Sequence, residues 1–533
     1  VRVVAIAECV SARALREGMT AYWAALSSGR TLGQAAGDAR QILERHDNGR
    51  RDDPNEAILS EWGEAADAPL VIAPAKATEG VSKVVRFPSA ALAPAWQRLA
   101  TESEPGGLPA APPRGLIGRG REIDALETIL RAEPGGPAWL CGYEGLGKTA
   151  LALHLARWLV RVGPMRQAVY TSFAGGGSAE LALYHLGQRL IGEEFKLGEN
   201  DPIGAIERAL IETPALVVWD HLDAVLPEGD ASLSTEALAE LWQLAERFSR
   251  AGASRVLLVA DLPDWPASAP VDGDRQLTLG LPAQDEAEQF VGTLTAHSPS
   301  GVVAGQLLAL AGALGGHPLA LAMLAPLIER APAGDLQASL REIMPGLDAG
   351  EARLRNQALD LAYEQLFRAV GERLRPGLAA LGVFADGFME PLGSTVMRVE
   401  PGIWAELKRW LVASRLVWEV RLPGLNVPCI RFHPSLARHA GRRLIAAQRI
   451  ALGESHSGSY AGLLSWMNQN LAESPAPVRT LLLHEWANLR RGLLVLLNAQ
   501  NLTLAVDYLR YLQRFQEMLG FTGERDQMTT RLE

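Results

Sequence analysis

Gly142-Tyr143-Glu144-Gly145-Leu146-Gly147-Lys148-Thr149 fits G-x-x-x-x-G-K-[ST], the pattern of a loop that cradles phosphate. Ahead of it runs Ala138-Trp139-Leu140-Cys141, a short apolar segment that reads as a buried strand. Behind it runs Ala150-Leu151-Ala152-Leu153-His154-Leu155-Ala156, a strong helix former. Strand, glycine loop and helix is the order the pattern requires. The glycines let backbone N–H groups turn inward around phosphate oxygens, and the helix N-terminus adds partial positive charge. Gly142, Gly145, Leu146 and Gly147 then line the phosphates. Lys148 reaches the outer ones, and Thr149 offers its hydroxyl to Mg2+.

A second stretch supports the first. Ala215-Leu216-Val217-Val218-Trp219 reads as a buried parallel strand, and Asp220 closes it at the ligand edge of an open α/β sheet. Asp220 is expected to hold Mg2+ through water; the alternative is a strand-end cap. Asp223, three residues on, either orients an attacking water or is a plain loop carboxylate. Further strands are expected at 168–173 and 255–259. Gly175-Gly176-Gly177 reads as a flexible turn.

Composition sets the outer bounds. At 533 residues the chain has room for about three to four domains. Hydrophobic residues make up 48% and charged ones 21%, and the net charge is −10. There is no dense Lys/Arg run, so nucleic acid is an unlikely partner. Cys9, Cys141 and Cys429 have no metal or redox spacing and read as buried residues in a reducing, cytoplasmic setting. From Gln289 to Ile328 no charged residue occurs, but two Gly/Pro breaks divide the stretch into buried helices rather than a membrane span. The chain starts on Val1 without a signal peptide and stops within a helical pattern. It therefore reads as part of a longer protein.

The motifs together resemble the STAND class of signalling ATPases, including the NB-ARC type. Gly118-Arg119-Gly120-Arg121-Glu122 matches a segment that closes over the adenine in that class. Gly315-Gly316-His317-Pro318 is similar to its Gly-x-Pro turn, where the proline, here Pro318, lies against adenine. Leu277-Thr278-Leu279-Gly280-Leu281 opens the small helical domain that carries this turn. Leu361–Leu366, Trp410–Val417 and a hairpin ending in Cys429–His433 resemble a winged helix. His433 falls where the family keeps a histidine on the ADP β-phosphate; a satisfied strand-end histidine is the alternative. Asp261 stands where the family has an arginine that reads the γ-phosphate, which weakens the expectation of efficient hydrolysis. Glu485–Leu493 resembles the start of a tetratricopeptide-like array. The opening strand, Ala21–Gly29, Ala35–Arg40 and Trp62 resemble the last part of a CHAT caspase-like domain, whose catalytic pair would lie upstream.

The expected fold is multidomain α/β and α. A CHAT-like α/β fragment (1–75) and a linker (76–113) precede a parallel-sheet P-loop domain (114–280). A small helical domain (281–345), a winged helix (346–440) and helical repeats (441–533) follow. The resemblance implies a switch that binds ADP or ATP with Mg2+, hydrolyses ATP slowly and self-associates in the ATP state. It would control a protease-like effector, as in prokaryotic defence or stress signalling. Repeats beyond the C-terminus would sense a protein partner. No membrane is implied. An ATP-dependent transcriptional regulator of the same class and a stand-alone P-loop ATPase are the alternatives.

Overall fold

In the computed structural model, the described residues are 3–6, 59–62, 70–72, 84–85, 108–109 and 115–523, less breaks at 163, 193–194, 199–200, 228, 230, 263–264, 266–268, 297–300, 331–350 and 423. The first four stretches are strands β1 (Val3–Ile6), β2 (Leu59–Trp62), β3 (Leu70–Ile72) and β4 (Val84–Val85), paired antiparallel in that order. Ala21–Gly29 and Ala35–Arg40, two of the segments that carry the CHAT resemblance, lie outside the described residues, as does Cys9.

The phosphate-loop segment belongs to a parallel sheet of β5 (Ala138–Gly142), β6 (Gln167–Ser172), β7 (Ala215–Asp220), β8 (Arg255–Val259) and β9 (Gln276–Leu279). Its spatial order is β6-β7-β8-β5-β9. Side chains alternate between two buried faces. Trp139, Cys141, Val217, Trp219, Val256 and Leu258 point into one core, and Ala138, Leu140, Leu216, Val218, Leu257 and Val259 into the other. Burial on both sides is why these strands read as unbroken apolar runs. Helices α1 (Gly120–Arg131) and α2 (Lys148–Val162) cover one face. The other is covered by α3 (Ala179–Leu190), α4 (Pro202–Glu212) and α5 (Thr235–Ser249). This is an α/β P-loop NTPase-like fold with helical parts. One expectation needs correcting: Leu277–Leu279 does not open the helical part but forms β9, parallel to β5. Its alternating Gln-Leu-Thr-Leu suits a sheet edge.

Among the described residues three helices follow, α6 (Gln284–Thr295), α7 (Gly301–Ala313) and α8 (Pro318–Arg330). Next come α9 (Glu351–Ala369), α10 (Gly371–Ala380), β10 (Gly387–Met389), α11 (Glu390–Met397), α12 (Pro401–Ala413), β11 (Val417–Val420), β12 (Cys429–Phe432) and α13 (Pro434–Gly441). The three strands form an antiparallel sheet with β12 in the middle. Long helices α14 (Ala446–Asn470), α15 (Pro475–Asn498) and α16 (Leu502–Leu519) complete the described chain. One continuous core runs from α3 through α8 to Phe521. It is stitched by Tyr184 on Phe521 and Trp486 on Phe521, both edge to face. No described helix is long and apolar enough to cross a membrane.

Candidate nucleotide site

The loop between β5 and α2 is shaped by three glycines at positive φ: Gly142 at 147°, Gly145 at 76° and Gly147 at 94°. A Cβ on Gly142 would lie 2.6 Å from the Leu279 carbonyl oxygen of β9. One on Gly145 would lie 2.7 Å from the ring of His317 and 2.8 Å from Leu319. On Gly147 it would meet nothing within 4 Å, so the space beside this glycine is open, and its carbonyl accepts from the Leu151 N–H at 2.9 Å. A glycine turn open at a helix N-terminus is the form that takes phosphate.

Lys148 donates to the Tyr143 carbonyl at 2.7 Å and meets the Asp261 carboxylate at 2.6 Å. Asp261 follows β8, the immediate neighbour of β5, so the sheet order itself brings the two together. The Asp261 N–H donates to Asp223 at 2.9 Å. His221, in the left-handed region at φ 58°, sits between acids, 3.6 Å from Asp220 and 3.7 Å from Asp261. Burial works against its charge, but Asp220, then Asp261 and Asp223, outweigh this and push its pKa up to about 10. Burial likewise opposes ionisation of Asp261, yet Lys148 and His221 hold it well below the usual carboxylate range. Asp223 is shifted up, by burial first and then by Asp261. Asp220, at the end of β7, accepts from the Tyr170 hydroxyl at 3.0 Å and from the His221 N–H at 2.9 Å.

Thr149 and Asp220 offer oxygen donors, the kind that suits Mg2+. Both Asp220 oxygens already accept a hydrogen bond, and a cation held through water would leave both bonds in place. His221, Asp223 and Asp261 also bring ligand atoms within 4.8 Å of one another. A protonated His221 and the Lys148 ammonium already neutralise that cluster, so it does not fit a further cation.

Residues remote in sequence close on the same loop. Arg119, itself at φ 63°, donates to the Leu146 carbonyl at 3.2 Å and the Gly280 carbonyl at 2.9 Å, and pairs with Glu122. Its backbone N–H reaches Glu286, whose side chain also fills the space a Cβ on Gly118 would need. The Arg119 guanidinium thus braces the loop from behind, and a contact of this segment with a nucleotide would be left to its backbone. Pro318 is the first residue of α8. His317, just before it, accepts from the Ala320 N–H through Nδ1, so Nε2 carries the proton donated to the Glu144 carbonyl at 3.1 Å. The Leu319 N–H donates to the Gly145 carbonyl at 3.3 Å. Burial pushes the His317 pKa down to about 4.

His433 caps α13. Its Nδ1 accepts from the Ser435 N–H, and its own N–H donates to the Leu416 carbonyl at 2.8 Å. Burial lowers its pKa to about 4; the charges acting on its ring are those of Asp261, His221, Lys148 and Arg438. Arg438, on the same helix, reaches Glu144 of the loop at 3.2 Å and Asp223 at 3.9 Å.

The structure therefore gathers Lys148, Asp220, Asp223, Pro318 and His433 around one loop, with Arg119 behind it. Sequence reading missed Glu144, His317 and Arg438. The only available signals were Glu144 inside the loop motif, a histidine before Pro318 and an arginine one helix on from His433.

No protein-family profile and no curated protein matches the chain. Among solved structures it is similar to a STAND protein with a tetratricopeptide repeat sensor from Pyrococcus horikoshii, at 15% identity and TM-score 0.43, covering 76% of this chain and 60% of that one. It is also similar to the Aeropyrum pernix ORC2 protein in ADPNP–ADP complexes, at 16% identity, TM-score 0.31, covering 62% of this chain and 95% of that one. A third match is Drosophila ORC bound to DNA, at 15% identity, TM-score 0.32, covering 69% of this chain and 95% of that one. The chain thus spans under two thirds of the STAND protein. Likenesses this weak carry no argument of their own, and they lend no support to the expectation that nucleic acid is not a partner.

Proposed function

We propose that this chain is a nucleotide-dependent signalling switch of the STAND kind, binding ADP or ATP with Mg2+. The observation that carries the reading is the convergence of three remote segments on the phosphate loop. Arg119 holds Leu146, His317 and Leu319 hold Glu144 and Gly145, and Arg438 holds Glu144. A stand-alone ATPase has no need to tie later helices to its loop backbone. A switch does, because the ligand then biases how the parts sit together.

In this reading the loop N–H groups and the Lys148 ammonium take the phosphates, and the His433 ring faces the diphosphate. Mg2+, held by Thr149 and through water by Asp220, would neutralise phosphate charge. Asp223 would orient water for slow hydrolysis to ADP. Residues 351–441 act as a winged helix that packs on the ADP form, and 446–519 begin a tetratricopeptide-like array. The ATP form opens, self-associates and releases a protease-like effector, in prokaryotic defence or stress signalling.

Calorimetric titration of the whole chain with Mg-ADP and a non-hydrolysable Mg-ATP analogue tests the foundation. Lys148→Ala should lose at least about a hundredfold in affinity for both, since a point charge on the phosphates is removed, while the circular dichroism spectrum of the folded chain is kept. Undiminished binding by the variant would remove the reading.

A further inference from the structure

The Asp220 carboxylate is held from two sides. Its Oδ1 accepts from the backbone N–H of His221 at 2.9 Å, and His221 stands in the left-handed region at φ 58°. Its Oδ2 accepts from the Tyr170 hydroxyl at 3.0 Å. Tyr170 comes from β6, at the edge of the parallel sheet next to β7, and belongs to none of the sequence motifs.

The strand register accounts for this reach. β6 and β7 run parallel, with Ser172 level with Asp220 and Tyr170 level with Val218. Residues two apart on a strand share a face, so Tyr170, Ser172, Val218 and Asp220 all point to one side of the sheet. Ser172 is short, and its hydroxyl accepts from the Ala174 N–H at 3.3 Å. Tyr170 is long enough to cross to the strand end, and its ring packs against the core that α2 covers.

Oδ2 has a second group beside it. The Nε2 of His221 stands 3.6 Å away, and the same ring is 3.7 Å from Asp261, which holds Lys148. The Tyr170 hydroxyl therefore decides which way the carboxylate faces. Without it, Oδ2 is free to turn to His221 and join the cluster of Asp261 and Lys148. A carboxylate offers about four acceptor sites, so with two taken Asp220 keeps others for water.

The geometry points to Tyr170 as the positioning residue for Asp220: its hydroxyl keeps the carboxylate turned so that its remaining acceptor sites serve the water around Mg2+. This rests on the nucleotide-switch reading and adds to it the group that sets how firmly the metal is held. Removing a group that orients a metal-holding side chain typically costs about ten- to a hundredfold in metal affinity.

The test is the affinity of the whole chain for a non-hydrolysable ATP analogue, measured by calorimetry with saturating Mg2+ and with EDTA. It compares the parent, Tyr170→Phe, Asp220→Ala and the double variant. The ratio of the two affinities is the gain from the metal. In Tyr170→Phe this gain should fall at least about tenfold. Metal-free affinity should stay within about twofold, which also shows that the variant is folded. Asp220→Ala should lose the gain at least as far, and adding Tyr170→Phe to it should change nothing more, because the hydroxyl acts through that carboxylate. Three outcomes overturn the inference: an unchanged gain in Tyr170→Phe, an equal loss with and without metal, or a full further loss on top of Asp220→Ala. If Asp220→Ala alone still loses the gain in those cases, the switch reading stands without it. A parent that binds the analogue with no gain from Mg2+ overturns the inference and the metal part of the reading. A parent that binds no nucleotide overturns both entirely.

Discussion

Lys148 and Asp261 hold each other at 2.6 Å across the mouth of the phosphate loop, with their side chains only 2% and 10% exposed. The lysine that a phosphate needs is thus already paired with an internal anion. From sequence, Asp261 stood only in the place of an arginine that reads the γ-phosphate. In the structure Asp261 engages Lys148 directly, so a phosphate that takes Lys148 has to displace this contact. Asp261→Asn should therefore raise affinity for ADP and a triphosphate analogue together, by about tenfold, since one charge-assisted contact no longer has to be given up. Calorimetry on both ligands checks this. A fall in affinity would mean that Asp261 shapes the loop rather than competing for its lysine.

Gly175 follows β6, and a Cβ built on it would run into Ala487 of α15. The loop therefore does more than turn the chain: it lets the C-terminal helices lie against the nucleotide-binding sheet. Gly175→Val should push α15 away, speeding hydrogen exchange across 478–498 and lowering stability by about 1–3 kcal/mol. Unchanged exchange there would show that this contact does not hold the two parts together.

His317 gives a pH dependence with a definite sign. Burial pushes its pKa down to about 4 in the folded protein, against about 6.5 when unfolded. The unfolded chain therefore binds more protons between these values, and stability falls as pH drops from about 6.5 towards 4. Charging the ring also removes the Nδ1 acceptor for Ala320 and loosens α8 from the loop. The fall in thermal midpoint from pH 7 to pH 5 should be shallower in His317→Gln than in the parent. Parallel curves would place the acid-sensitive group elsewhere.

The sheet was legible because each strand is a buried apolar run with a ligand-edge signal at its end, as in Val217-Val218-Trp219-Asp220. β9 was misplaced because Gln276–Leu279 is short and alternating, with no such signal. At the site, Lys148 and Asp220 could be found from spacing alone. Glu144 and Arg438 could not, since their pairing spans 294 positions and depends on how α13 folds back over the loop. His433 was located through resemblance; its neighbours were not. The bracing role of Arg119 was hidden for a related reason. Its partners are the carbonyls of Leu146 and Gly280, and a carbonyl has no residue-type signature.

In the proposed ADP state α13 closes over the diphosphate, with His433 facing it. This closure is tested most directly by the dissociation rate of a fluorescent ADP analogue from the parent and from His433→Ala. Release should be at least about tenfold faster from the variant, the loss of one buried contact, with Mg2+ at the same concentration throughout. An unchanged rate, in a variant that still binds ADP, would contradict it.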